Sequence, residues 1–248
     1  MICVICAMTE EKEAIINLMP NVKKCRGKKV LYHGKTLDTN YYLGKIGDKD
    51  VAVLHCGVGK VYAAIITLLA IQKFKPELVI NLGCAGSLDK KTHVGDVVIA
   101  DRVADWDVDV PGWDRSIISD KVSYACDGRV IKIAKGLKNV KIGPIVSGEA
   151  FIYKKSQVNE ILKHFKSAKC VEMEGSSVAN TCYAFMTNFA IIRSISDETL
   201  INGSYKKLEF NLKKVCDKAA RICVSIIKKY WLWLSGIKSL ILIGLHGY

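Results

Sequence analysis

Four short stretches place carboxylates or glycines where a predicted strand gives way to a helix or a loop. The first, Ala7-Met8-Thr9-Glu10-Glu11, puts two acids in the first turn of a helix. The helix dipole there lowers a carboxylate's pKa and keeps it ionised. Such a group could hold and activate a water, although acids at a helix start also serve plain electrostatics. The second, Cys56-Gly57-Val58-Gly59-Lys60, is a glycine turn between a strand and a helix. It has neither the spacing of a P-loop nor the third glycine of a dinucleotide fingerprint, so it supports only close backbone approach to some ligand. Gly83-Cys84-Ala85-Gly86 follows a third strand. The last is a pair, Val171-Glu172-Met173-Glu174 with Arg193-Ser194-Ile195-Ser196-Asp197. Asp197 comes after the apolar run Phe189 to Ile192, and partial desolvation would raise its pKa toward that of a proton donor. A strand-terminal Asp also serves as a cap, and the residues alone leave both readings open.

Strands alternating with helices must carry these groups. Residues 2–7, 41–44, 51–55, 78–82, 96–100, 141–146 and 189–195 read as strands, and residues 10–19, 61–74, 174–185 and 208–230 as helices. Thr9 is the expected cap of the first helix, and Pro20 and Pro76 favour breaks. The acidic stretch 101–120, with Trp106, Pro111, Gly112 and Trp113, has no period and reads as a long surface loop. No internal repeat or linker divides the chain. The expected fold is a single α/β domain over residues 1–230, with a central mixed twisted sheet flanked by helices.

The 248 residues are half hydrophobic and a quarter charged, which excludes bulk disorder and allows a core without staples. The formal charge of +13 would attract nucleic acid or anionic lipid. Its densest runs, Lys23 to Lys29 and Lys206 to Lys214, lack interleaved aromatics and read as solvated faces, so no nucleic-acid partner is expected. The ten cysteines sit inside apolar segments, and no leader with a cleavage site is recognisable, which points to a reducing cytoplasm. Cys3 and Cys6 have CxxC spacing but would face opposite sides of a strand, against metal ligation. Residues 231–248 form an apolar tail. Its run from Trp231 to Leu245 is shorter than the ~20 residues a membrane span needs. An oligomer contact, packing on the body and a membrane-surface helix all remain open for it.

Taken in order, the stretches CAMTEEKEA, CGVGKVYAA, INLGCAGSL, VGDVVIAD, IVSGEAFI, VEMEGSSVA and IRSISD, between residues 3 and 197, resemble the 5'-methylthioadenosine/S-adenosylhomocysteine nucleosidases of the purine nucleoside phosphorylase-like superfamily. The resemblance implies hydrolysis of the N-glycosidic bond between adenine and a 5'-thio-substituted ribose, with 5'-deoxyadenosine as a further substrate. It implies that Asp197 protonates adenine N7 with Ser196 orienting it, and that Glu11 activates the water with Arg193 nearby. Glu174 would accept hydrogen bonds from the ribose hydroxyls, Met173 would pack under the sugar, Phe151 would stack on the purine and the Ile152 backbone would read its edge. Glu172, Cys84 and Val58 join this substrate-binding set. The resemblance calls for no metal or cofactor. It also implies a homodimer, in which Pro111 or Trp113 reaches the partner's site.

The chain departs from the family in three places. Cys84 stands where many members carry Ser, and Glu198-Thr199-Leu200-Ile201 replaces a small residue and a second Asp. Lys207 stands near the register of the aromatic that closes the 5' side, with Tyr205, Leu208 and Phe210 as substitutes. Three other readings compete: a purine nucleoside phosphorylase, a futalosine-type hydrolase and a non-catalytic nucleoside-binding or storage protein. Lys60-Val61 after the glycine turn and an acid at Glu11 speak against phosphate. The retention of Glu11, Glu174 and Asp197 together speaks against storage.

Overall fold

Residues Ile2–Cys6 form strand β1, apolar and buried at every position because both of its faces are covered. The computed structural model describes residues 1–32, 34–37, 39–108, 123–201 and 208–244. After β1 come α1 (Thr9–Ile16), β2 (Lys23–Cys25), β3 (Val30–Tyr32), β4 (Lys35–Leu37), β5 (Tyr41–Ile46) and β6 (Lys49–His55). Next are α2 (Lys60–Phe74), β7 (Leu78–Ser87), β8 (Val97–Asp105), β9 (Tyr124–Ala125) and α3 (Gly128–Lys135). The chain continues through β10 (Val140–Ser147), α4 (Lys155–His164), β11 (Cys170–Glu172), α5 (Gly175–Ala184), β12 (Phe189–Glu198) and α6 (Leu208–Gly244).

The expected mixed sheet is present, in the order β11-β10-β8-β12-β7-β1-β6-β5-β2. Strand β1 lies parallel to β6 and β7, and β12 lies parallel to β7 but antiparallel to β8. The sheet also curls back on itself. Strand β11 pairs with β10 on one side and with β7 on the other, so β7, β12, β8, β10 and β11 close a ring. This closure brings Val171 against Gly86 and carries Glu172 to the ends of β7 and β12.

Side chains alternate across β1 with the period of two that a strand imposes. Ile2, Val4 and Cys6 pack toward α1, α3 and α6, whereas Cys3 and Ile5 pack toward α2 and α5. The two cysteines therefore do face opposite sides. On the α6 side, Cys216, Ala219, Ala220, Cys223, Ile226, Ile227 and Tyr230 are buried, and the Tyr230 hydroxyl donates to Asp127 Oδ2 at 3.0 Å.

Several expected boundaries move. The first helix ends at Ile16, and Thr9 lies inside it: Met8 is the cap residue. Strand β7 continues through Gly83-Cys84-Ala85-Gly86, and β12 continues through Asp197, so both stretches lie on strands and not beyond them. Strand β8 extends to Asp105, which takes the first five residues from the expected 101–120 loop. The last helix does not stop at Tyr230 but runs unbroken to Gly244. Among the described residues, no helix is long and apolar enough to cross a membrane.

Candidate active site

The cavity lies where β1, β7, β11 and β12 end, the edge of an α/β sheet at which ligands gather. It is lined by Glu11, Val58, Cys84, Phe151, Ile152, Glu172, Met173, Glu174, Ser196 and Asp197, together with Ala7, Met8, Ala85, Gly86, Ala150 and Val171. Ten of the eleven expected site residues thus share one cavity. The eleventh, Arg193, is buried behind the wall.

A register shift in β12 explains how two consecutive polar residues reach one cavity. Ile195 pairs with Ala85 and Asp197 with Gly86, which leaves Ser196 as the extra residue of a bulge. In a regular strand, neighbours point to opposite faces. Here Ser196 Oγ donates to Asp197 Oδ1 at 2.9 Å, and both side chains line the cavity. Asp197 is 2% exposed, and burial raises its pKa above the ordinary value against the lowering effect of the Ser196 bond.

Glu11 reaches the cavity from the first turn of α1. One oxygen accepts from Ala7 N–H (2.9 Å) and Met8 N–H (3.0 Å), and the other from Cys84 N–H (2.9 Å). These bonds and the nearby Arg193 charge favour the carboxylate, yet burial outweighs them and the pKa is raised. The expectation of a lowered value from the helix dipole is therefore corrected. Desolvation of a carboxyl that is 4% exposed exceeds what one short helix contributes. The Cys84 side chain turns to α6, with its sulfur 3.4 Å from that of Cys216. It is the main chain of Cys84, indifferent to whether Ser or Cys stands there, that holds Glu11.

Arg193 sits among carboxylates. Its guanidinium donates twice to Glu172 Oε2, from Nε at 3.1 Å and from Nη2, which also reaches Asn81. Glu174 Oε2 lies 3.7 Å from Nη2. Glu172 is held further by Glu174 N–H (3.1 Å), by Gly175 N–H (2.8 Å) and by Ser147. Glu174 accepts from Gly59 N–H at 2.9 Å. Burial, reinforced by the Glu172 charge, pushes its pKa up to about 8.

Bare backbone makes room for these groups. A Cβ on Gly83 would stand 2.7 Å from Glu11 Oε1 and 2.9 Å from Arg193 Nη1, and one on Gly86 would meet Asp197 Oδ2 at 3.3 Å. The glycines thus let side chains from α1 and β12 lie flat over β7. Asn81 and Ser147 support Arg193 and Glu172, roles that the sequence motifs alone do not assign. A polar side chain inside an apolar strand such as Leu78–Leu82 was the available signal. Pro111, Trp113, Tyr205 and Lys207 lie outside the described residues, as do the side chains of Leu208 and Phe210.

A mixed sheet with an acid-lined cavity at its strand ends defines a class, and a family model described as the phosphorylase superfamily matches residues 1–228. The 5'-methylthioadenosine/S-adenosylhomocysteine nucleosidase of Maridesulfovibrio salexigens is 32% identical over 235 residues, covering 91% of this chain and 98% of the relative. The crystal structure of the nucleosidase of that name from Neisseria meningitidis, in complex with methylthio-immucillin-A, aligns at a TM-score of 0.78 and 33% identity. That alignment covers 92% of this chain and 98% of the other. A futalosine hydrolase structure from Helicobacter pylori aligns at 0.76 and 26% identity, over 92% and 97%. The chain belongs to the 5'-methylthioadenosine/S-adenosylhomocysteine nucleosidase family of the phosphorylase superfamily.

Proposed function

We propose that the chain hydrolyses the N-glycosidic bond of 5'-methylthioadenosine and S-adenosylhomocysteine, releasing adenine and a 5-thio-substituted ribose. The carrying observation is one cavity holding a desolvated acid, Asp197, and a carboxylate, Glu11, gripped by three backbone donors. Asp197 gives its proton to adenine N7 as the C1'–N9 bond breaks, which relieves a poor leaving group. Glu11 takes a proton from the water whose oxygen bonds to C1'. The anionic charge around Arg193 favours the oxocarbenium-like sugar as it forms. Glu174 meets the ribose hydroxyls, with Met173 under the sugar and Phe151 and Ile152 on the purine.

Phosphate in place of water would need free donors at the sugar's open face. The Ala7, Met8 and Cys84 N–H groups there are already bonded to Glu11, whose charge would repel the anion. The futalosine hydrolase alignment keeps a futalosine-type nucleoside on the substrate panel. All ten cysteines are free, which suits a cytoplasmic enzyme. A homodimer is part of this reading.

The test is adenine release by pure protein in phosphate-free buffer from each nucleoside in turn. We expect turnover with the two 5'-thio nucleosides, and loss of about a hundredfold or more in kcat for Asp197→Asn with ligand binding retained. A requirement for phosphate, with ribose 1-phosphate as product, would overturn the hydrolytic reading.

A further inference from the structure

Lys60, the first residue of α2, has no part in the chemistry above, yet it joins three segments that surround the cavity. Its ammonium lies 2.6 Å from Asp107 Oδ1 and 3.2 Å from Asp105 Oδ1, at the exit of β8, with its side chain 20% exposed. Its own N–H donates to Glu149 Oε1 at 2.7 Å, and Glu149 N–H in turn donates to Asp107 Oδ2 at 2.7 Å. The links form a closed ring of Lys60, Glu149 and Asp107. Two further bonds tie the ring to the sugar side: Gly59 N–H to Glu174, and Ser176 Oγ to Asp105 Oδ1 at 2.5 Å. Gly59, at φ 107°, belongs to the device, because a Cβ there would stand 2.9 Å from Glu149 Oε2.

Glu149 is followed directly by Ala150, Phe151 and Ile152, all of which line the cavity. We propose that Lys60 is a positioning residue for the nucleoside: its charge holds Asp105 and Asp107 together and so fixes the Phe151 loop and Glu174 in the spacing that a base and its ribose require. Without the ammonium, Asp105 and Asp107 repel each other and the Glu149 N–H loses a fixed acceptor in Asp107, leaving the Lys60 main-chain bond as the turn's remaining tie in this ring. Asp197 and Glu11 are fastened elsewhere, to Ser196 and to main-chain donors, so the chemical step is untouched. The inference rests on the nucleosidase reading for its substrate, though the ring itself does not.

Lys60→Met keeps the aliphatic stem and removes the charge. The expected result is a KM raised about tenfold or more with kcat within about twofold, the signature of lost binding common to ground and transition states. Lys60→Arg should bring KM back to within about threefold of the parent. A purely structural role would lower Tm and the active fraction and leave KM alone, so an unchanged KM in folded Lys60→Met overturns the proposal. A KM for Lys60→Arg as high as that of Lys60→Met overturns it too. If Lys60→Met does not fold, Asp107→Asn removes the other end of the bond and should raise KM in the same way, and a parental KM there counts against the ring. Hydrogen exchange of amides 148–152 gives a second arm that needs no turnover. Faster exchange in Lys60→Met is expected, and parental exchange overturns the proposal. Absence of adenine release by the parent protein would instead sink the nucleosidase reading, with the exchange arm still deciding for Lys60.

Discussion

Glu174 feels the charges of Glu172 and Glu11, with Arg193 Nη2 3.7 Å from one of its oxygens and the Gly59 N–H on the other. One cation against three carboxyls in a buried site leaves negative charge uncompensated, and a proton is the least costly remedy. With a pKa of about 8 against an ordinary 4.5, the folded chain keeps a proton on Glu174 that the unfolded chain releases. Across that window the native state binds more protons, so stability falls as pH rises, by up to about 1.4 kcal/mol per pH unit. Above about pH 8 the loss is complete, and below the ordinary carboxylate range it vanishes. Glu174→Gln removes the titrating group. Thermal melts at pH 5 and pH 8 should therefore show the variant gaining on the parent as pH rises. Identical slopes for the two proteins would place the stored proton on another side chain.

At the scale of elements, β7 is the floor over which α1 and β12 lay their functional ends. Gly83 shows this most directly: a methyl group there has Glu11 Oε1 at 2.7 Å and Arg193 Nη1 at 2.9 Å, both held in a buried network. Gly83→Ala should cost about 1–3 kcal/mol of stability, as overpacking does, and lower kcat by about tenfold or more through displacement of Glu11. Melting and single-substrate kinetics measure both, and a variant with parental kcat would show that Glu11 tolerates the shift. Which parts of this arrangement could be read beforehand follows from the physics. Asp197 was visible because a polar run follows an apolar strand, and Glu11 because acids cluster at a helix start. The bulge at Ser196 was not visible, since it is a mismatch between two strands and belongs to neither sequence alone. The closure through β11 was hidden because three residues, Cys170–Glu172, are too few to show a period. The direction of the Glu11 pKa shift is not legible locally, because the sequence reports the dipole but not the depth of burial, which only the assembled sheet supplies.

At the scale of the whole molecule, α2 and α5 pack on each other and both start at the cavity mouth, after Gly59 and after Glu174. Their outer surfaces carry apolar side chains in water: Val61 at 62% exposure, Tyr183 at 71% and, just beyond α5, Met186 at 96%. Burying these side chains against a second copy would be favourable. The net charge of +13 on each chain acts in the opposite sense, pushing two copies apart over distances that salt shortens. The Debye length falls from ~30 Å at 0.01 M to ~8 Å at 0.15 M salt. The two effects together predict a homodimer that tightens as salt is added, the reverse of an association built on opposite charges. Light scattering on the eluting protein at 0.15 M salt should give twice the 27.4 kDa chain mass, with a lower average at 0.01 M. A mass of one chain at both salt concentrations and at micromolar protein would remove the dimer from the proposal. A dimer that loosens with added salt would transfer its origin from the apolar faces of α2 and α5 to ion pairs.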